Sequence, residues 1–345
     1  MDATSGVLTS VGTTDVSGTM LRPHAIAVNA PKRKLYLGDN QSGSGYGKVQ
    51  TFSINQTTGV LTSADSGQAV SGDRSQVHLM VSSDGSALYA VASTGGMTHA
   101  YLFSLDSNGL PTYVMAEQAA NSSPRFRLFE ATSSSSVLSM GASASENNTV
   151  CTQTLTVSAL GTRSCITRPA SPWGGTTATN DFAIDLSQTW ILALNQGWQA
   201  KMVFAIPLGS GGVPQATGVQ SLDLTASVPA QFQVSRLALH PSRSTLFFVG
   251  SDHTASQRVI PITLNTTTGA MTAGTAVVFN QPVREMQVDP SGAYLLVLGY
   301  NTGTGDENLS VYSIDSTTGA LTLAHETTTG LNDSRTFVVT RIAQP

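Results

Sequence analysis

Seven positions spread along this chain stand four residues ahead of a matched apolar residue. They are His24, Val77, Arg125, Asn180, Ser235, Arg284 and Arg335, preceding Val28, Val81, Phe129, Ile184, Leu239, Val288 and Val339. One histidine and three arginines at a single recurring position stand out where only 11% of residues are charged. Guanidinium groups brought together repel one another unless a carboxylate, a phosphate or an acidic neighbour lies between them. Two readings follow. His24, Arg125, Arg284 and Arg335 hold an anionic ligand, or the arginines brace adjoining units through Asp181, Glu285, Asp333 or a neighbouring carbonyl.

A second group of polar residues recurs about 15 residues further on: Asp39 and Asn40, Asn195 and Gln196, Tyr300 and Asn301. Brought to the same mouth, they orient a substrate or a water; as plain turn residues they only close loops, as Asn and Asp commonly do. Signatures of metal, serine-triad, phosphate-loop or paired-cysteine chemistry are absent from the sequence, so no metal and no cofactor are expected. The acidic run Gly305-Asp306-Glu307-Asn308 lacks a recognised calcium-ligand spacing. Most of the six histidines, at 24, 78, 99, 240, 253 and 325, read as surface or turn residues.

The elements that must position these groups are set by internal repetition. Thr57-Thr58-Gly59-Val60-Leu61-Thr62, Thr267-Thr268-Gly269-Ala270-Met271-Thr272 and Thr317-Thr318-Gly319-Ala320-Leu321-Thr322 are near copies, with weaker ones around Gly6, Gly109, Gly161 and Gly212. Each turn glycine lies between two runs of period-2 alternation, such as Val49 to Ile54 or Leu309 to Ile314, which is a hairpin signature. Ahead of each hairpin stand two further strands, as in Ala25 to Val28 followed by Leu35-Tyr36-Leu37. Four strands per unit of roughly 50 residues describe the blade of a β-propeller. Seven copies predict an all-β, seven-bladed β-propeller of four-stranded antiparallel blades, forming one domain over residues 1–345.

The expected blades run over about residues 20–71, 72–119, 120–169, 170–225, 226–280 and 281–331, with a closing blade from 332–345 and 1–19. Between the last inner strand and Gly6 the closing blade is short of two strands. Asp2-Ala3-Thr4-Ser5-Gly6 reads as the tail of a further Ser-Ile-Asp-Ser-Thr-Thr-Gly segment, so the expectation is a trimmed start. In a closed propeller the inner-strand entrances converge, which would gather the recurring position into one channel mouth.

Composition narrows the partners. A net charge of −4 with no basic stripe argues against nucleic acid, and no stretch nears the roughly 20 apolar residues that cross a bilayer. A small anionic molecule in the central channel and a monomeric chain are the expectations, a closed propeller having only short, protected edges. Cys151 and Cys165 flank the turn at Gly161 on adjacent strands, within reach of a disulfide, with two buried thiols as the alternative. An oxidised pair implies an extracytoplasmic, periplasmic or secreted home, although the chain begins with no signal segment of its own. Seven Asn-x-Ser/Thr sites, at Asn40, Asn55, Asn121, Asn147, Asn265, Asn308 and Asn332, are what a Ser/Thr-rich chain generates by chance as well as by design.

The units Pro23-His24 through Leu35-Tyr36-Leu37-Gly38-Asp39-Asn40, and Asp289-Pro290-Ser291-Gly292-Ala293-Tyr294-Leu295 followed by Val311 to Thr322, resemble the lactonase-type seven-bladed propellers. That family includes bacterial phosphogluconolactonases and fungal carboxymuconate-lactonising enzymes. The resemblance covers nearly the whole chain and implies metal-independent action on a small anionic lactone or its open acid. It also implies His24 as general acid/base, with Arg284, Arg125 and Arg335 holding the substrate's anionic group and its oxyanion; the recurring positions themselves add Asn180, Asp39, Asn195 and Tyr300 as substrate-binding residues. Val77 and Ser235 depart from a fully charged ring. A different class also fits the residues: a non-catalytic extracytoplasmic propeller that binds a ligand or a cell-surface partner.

Overall fold

Alternating residues put one apolar face on each side of an extended segment, and such segments pair with their chain neighbours when short polar turns join them. The computed structural model describes residues 1–2, 4–10, 12–16, 23–39, 47–70, 78–82, 84–94, 97–120, 125–130, 135–140, 149–155, 159–167, 179–195, 201–228, 234–251, 258–279, 281–300, 307–329 and 337–339. Over these residues the chain forms six antiparallel sheets, each built from strands consecutive in sequence. The first holds β1 (Pro23–Asn29), β2 (Lys34–Asp39), β3 (Gly47–Ile54) and β4 (Leu61–Ser63), with β5 (Gln68–Val70) also paired to β3. The second holds β6 (His78–Val81), β7 (Ala87–Thr94), β8 (Met97–Leu105) and β9 (Pro111–Ala120), and the third β10 (Arg125–Glu130), β11 (Ser135–Met140), β12 (Thr149–Leu155) and β13 (Leu160–Thr167).

The fourth sheet runs β14 (Thr179–Ile184), β15 (Trp190–Asn195), β16 (Met202–Pro207) and β17 (Gln220–Asp223). The fifth runs β18 (Val234–Leu239), β19 (Leu246–Ser251), β20 (Arg258–Leu264) and β21 (Met271–Ala273), with β22 (Val277–Val278) on β20. The sixth runs β23 (Val283–Val288), β24 (Tyr294–Tyr300), β25 (Glu307–Ile314) and β26 (Leu321–Thr328). Among the described residues no helix is long and apolar enough to cross a membrane. The inner strand expected near Arg335 lies largely outside the described residues.

The chain divides into two compact units: Met1–Thr9, Met140–Val150 and Cys165–Arg335 in one, Ser10–Ser139, Cys151–Ser164 and Thr336–Pro345 in the other. In the first unit the core between the fifth and sixth sheets is built from Phe248, Val283, Met286, Leu295, Val297 and Tyr312. In the second unit Ala27, Tyr36, Val49, Leu88, Ala90 and Phe103 fill the space between the first two sheets. The central strand β19 is buried along its whole length, as expected of a strand covered on both faces.

The repeated Thr-Thr-Gly turn has a physical cause. Asn265 Oδ1 accepts hydrogen bonds from Thr267 N (3.0 Å) and Thr268 N (3.0 Å), and Gly269 N donates to Asn265 O (2.7 Å). Asn55, Asp315 and Asp2 organise the same turn, which is why the residue four places before the glycine is Asn or Asp in these four copies. Each turn then docks on the preceding sheet. Trp190 Nε1 donates to Thr266 O (2.8 Å), Tyr294 Oη to Thr4 O (2.8 Å) and Tyr36 Oη to Gly109 O (2.7 Å). Gly269 sits at φ +74°, and a Cβ there would lie 2.5 Å from the Trp190 ring, so both conformation and contact demand glycine.

In the first and fifth sheets a further tie runs through the turn between the first two strands. His240 Nδ1 accepts from Ser242 N (3.3 Å) and Arg243 N (3.1 Å), while Nε2 lies 3.0 Å from Gly292 O of the next sheet. Asn29 Nδ2 donates to Gly85 O (3.1 Å) in the same manner. His240 is a turn residue as expected, but a buried one, because its ring bridges two sheets. Burial pushes its pKa down, only partly offset by the bond to Gly292. Cys151 on β12 and Cys165 on β13 are joined in a disulfide.

Candidate functional site

The recurring position of the sequence coincides with a recurring irregularity of the backbone. In the β23–β24 pair the register passes from Val283↔Gly299 to Glu285↔Leu298, which leaves Arg284 as an extra residue. Between β18 and β19 it passes from Val234↔Ser251 to Arg236↔Gly250, which leaves Ser235 over. The β1–β2 pair steps from Pro23↔Asp39 to Ala25↔Gly38 around His24, and β14–β15 steps between Thr179↔Asn195 and Phe182↔Ala193 around Asn180 and Asp181. A bulge rotates one side chain out of the strand's alternation and re-aims it, and such bulges gather beside functional sites. The four-residue offset counted along the sequence is thus a β-bulge at the entrance of the inner strand in four sheets.

Within the first unit the surroundings of Arg284 are well defined. Its guanidinium carbon lies over the ring of Tyr300 at 4.6 Å from the centroid, an arrangement in which the π-face attracts the cation. Tyr300 is the last residue of β24, so the bulge on β23 turns Arg284 back across the neighbouring strand. Among the described residues no carboxylate or carbonyl accepts a hydrogen bond from the Arg284 side chain. Among the described residues its edge donors thus carry no partner, while the Tyr300 ring holds its face.

The backbone that carries Arg284 is fixed from the preceding sheet. Arg236 Nε donates to the Arg284 carbonyl oxygen, and Arg236 Nη1 donates to Ser235 O (2.9 Å). One sheet earlier, Asp181 Oδ1 accepts from Phe182 N (2.9 Å) and Oδ2 from Leu237 N of β18 (3.0 Å). Glu285 Oε1 accepts from Met286 N (3.1 Å), and Ser235 Oγ donates to Gly250 O (3.2 Å). Among the described residues, bracing between sheets is carried by Arg236 and Asp181, next along the strand from the recurring position. Arg236 was missed by the sequence reading; its neighbourhood to Ser235 was the only signal.

The remaining expected residues are placed as follows. Asp39 ends β2 opposite Pro23 and is completely buried. His24 lies in the β1 bulge, Arg125 opens β10, Asn180 lies in β14 and Asn195 ends β15; their side chains lie outside the described residues, as do Asn40, Gln196, Asn301, Asp333 and Arg335. Sequence and structure together bring Arg284 and Tyr300 into contact in one unit; His24 and Asp39 are register neighbours in the other. Glu307, the first residue of β25 and the register partner of Tyr300, is wholly buried.

Comparison with known proteins fixes the architecture. No family model matches the sequence, and no curated protein matches it. Among solved structures, the periplasmic gluconolactonase of Pseudomonas aeruginosa superposes with a TM-score of 0.69 at 14% identity, covering 94% of this chain and 90% of that one. A candidate 6-phosphogluconolactonase from Bacteroides fragilis gives 0.64 at 14% identity, covering 87% and 82%. The β-propeller domain of Cps50 (Swd1) from Myceliophteria thermophila gives 0.57 at 12% identity, covering 91% and 87%. Likeness at this level of identity is a statement of fold. The chain is an all-β propeller whose described blades are antiparallel meanders, with a cationic side chain re-aimed by a bulge at the head of an inner strand.

Proposed function

We propose that this protein is a lactonase-like propeller that acts on a small anionic lactone or its open acid. One observation carries the reading: Arg284 is turned out of its strand by a bulge, held through its own carbonyl by Arg236, seated on Tyr300, and left without a carboxylate partner among the described residues. Holding an unpaired guanidinium in a fixed pose is costly for structure alone and useful for an anion. The likeness of fold to the Pseudomonas aeruginosa gluconolactonase and to the candidate 6-phosphogluconolactonase of Bacteroides fragilis agrees with it.

In this proposal Arg284, with Arg125 and Arg335 from the same repeat position, holds the substrate's carboxylate or phosphate and the oxyanion, while His24 exchanges the proton. His24 takes a proton from water, the hydroxide adds to the lactone carbonyl carbon, and the negative charge moves to the carbonyl oxygen beside arginine. The ring C–O bond then breaks, and the departing oxygen takes the proton back from His24, giving the hydroxy acid. No metal takes part in these steps. Asn180, Asn195 and Tyr300 line the substrate, Asp39 supports the wall from beneath rather than touching it, and seven blades close the ring. The disulfide and the periplasmic origin of one structural neighbour support an extracytoplasmic location.

The test is hydrolysis of a panel of lactones, including sugar-acid lactones with and without phosphate, by the parent, His24→Ala and Arg284→Ala. Turnover in the parent that collapses in both variants supports the reading. A folded parent that turns over none of them overturns it and returns the chain to non-catalytic ligand binding.

A further inference from the structure

Three of the seven Asn-x-Ser/Thr motifs lie among the described residues, and the fold treats them differently. Asn55 and Asn265 each open a Thr-Thr-Gly turn and are exposed, as are Thr57 and Thr267 two places on. Asn308 instead lies inside β25, paired with Gly299 of β24 on one side and Thr328 of β26 on the other. The hydroxyl of its motif belongs to Ser310, which is 0% exposed and donates to Glu326 Oε2 (2.7 Å).

The turn accounts for only half of each exposed amide. Asn55 Oδ1 accepts from Thr57 N (3.0 Å) and Thr58 N (2.9 Å), and Asn265 Oδ1 accepts the corresponding pair. Asp315 accepts the same two bonds with a carboxylate oxygen, from Thr317 N (3.0 Å) and Thr318 N (2.7 Å). The turn therefore uses the side-chain oxygen and has no need of the nitrogen. Among the described residues neither Asn55 Nδ2 nor Asn265 Nδ2 donates a hydrogen bond, and Thr57 and Thr267 serve the turn through their backbone N–H alone. In the fifth sheet the docked parts of the turn are Thr266 O and Gly269, both against Trp190, which leaves Asn265 exposed.

We propose that Asn55 and Asn265 are acceptors of N-linked glycan and that Asn308, with the same motif, is not. The transfer uses a lipid-diphosphate-linked oligosaccharide. Nδ2 bonds to the anomeric carbon, the bond from that carbon to the diphosphate oxygen breaks, and Nδ2 gives up a proton; nothing is oxidised or reduced. The sugar leaves Oδ1 in place, so both turn bonds survive it. On Asn308 it would have to fit on the strand face that residue shares with the buried Ser310. The inference rests on the extracytoplasmic reading, because the transfer and the disulfide belong to the same oxidising route.

The experiment routes the full chain through the secretory pathway of a eukaryotic host behind a cleavable leader. This imposes the compartment, so the result does not depend on where the protein normally resides. Protein pooled from cells and medium is treated with peptide N-glycosidase in heavy-oxygen water, which converts each glycosylated Asn to labelled Asp, and peptides are read by mass spectrometry. Label is expected at 55 and 265 and absent from 308. Asn55→Asp and Asn265→Asp each lose the glycan at their own site only and keep the parent's yield, because Asp takes over both turn bonds. Thr57→Ala and Thr267→Ala lose the same glycans without any change to the asparagines. A disulfide-bonded parent without label at 55 or at 265 overturns the proposal. Label at 308 with the occupancy of the other two overturns it as well, since the fold would then exert no selection.

Discussion

Replacing Gly269 by alanine tests whether the repeated turn is a docking device or only a turn. Gly269 and Gly211 share φ +74°, so Ala at either position bears the same left-handed backbone penalty, about 1–2 kcal/mol. They differ in what a Cβ meets. At Gly211 nothing lies within 4 Å, whereas at Gly269 the Trp190 ring lies at 2.5 Å. Relieving that overlap displaces a buried indole, at about 1–3 kcal/mol for overpacking, and strains the Trp190 Nε1 bond to Thr266 O, which contributes about 1 kcal/mol. Equilibrium urea unfolding should therefore place Gly269→Ala roughly 2–4 kcal/mol below Gly211→Ala in stability, taking those two local terms together. Equal losses at the two sites would refute the docking argument, because they would show that only the backbone conformation matters.

Other outcomes follow from the same contacts. The folded pKa of His240 is depressed, so its contribution is present above the ordinary value of 6.5 and is lost as pH falls from there towards the folded pKa. Protonation at Nδ1 would also remove the acceptor for Ser242 N and Arg243 N. Unfolding measured between pH 7.5 and 5.5 should show the parent losing stability more steeply than His240→Gln. Reducing the Cys151–Cys165 disulfide opens a loop of about 15 residues and should lower stability by about 3 kcal/mol, read as a shifted urea midpoint with and without reductant. Arg236→Lys removes the Nε bond that holds the Arg284 carbonyl, and should lower kcat/KM on an accepted lactone about 10–100-fold while the urea midpoint stays close to the parent's.

The repeats made the sheets legible because the clearest hairpins are specified locally, by an Asx side chain, a glycine at positive φ and flanking alternation. The recurring position was legible too, since counting back from a matched apolar residue detects an insertion in register even when the bulge itself leaves no motif. What the sequence concealed is contact between sheets. Arg236 does its work through a bond to a main-chain carbonyl 48 residues away, and a carbonyl carries no residue identity. His240 looked like a surface turn residue because its burial comes from the next sheet's Gly292. Glu307 read as part of a polar loop; only the packing around β25 shows it to be enclosed.

The central claim is that Arg284 is an anion-binding residue rather than a brace, and charge discrimination tests it most directly. The measurement is kcat/KM for the parent and Arg284→Gln on a matched pair of lactones, one bearing a carboxylate or phosphate and one neutral. A loss of about 10²–10³ is expected on the charged lactone and a much smaller one on the neutral lactone, because the charge-assisted contact is what the substitution removes. Equal losses on both, or no loss on the charged lactone, would contradict it.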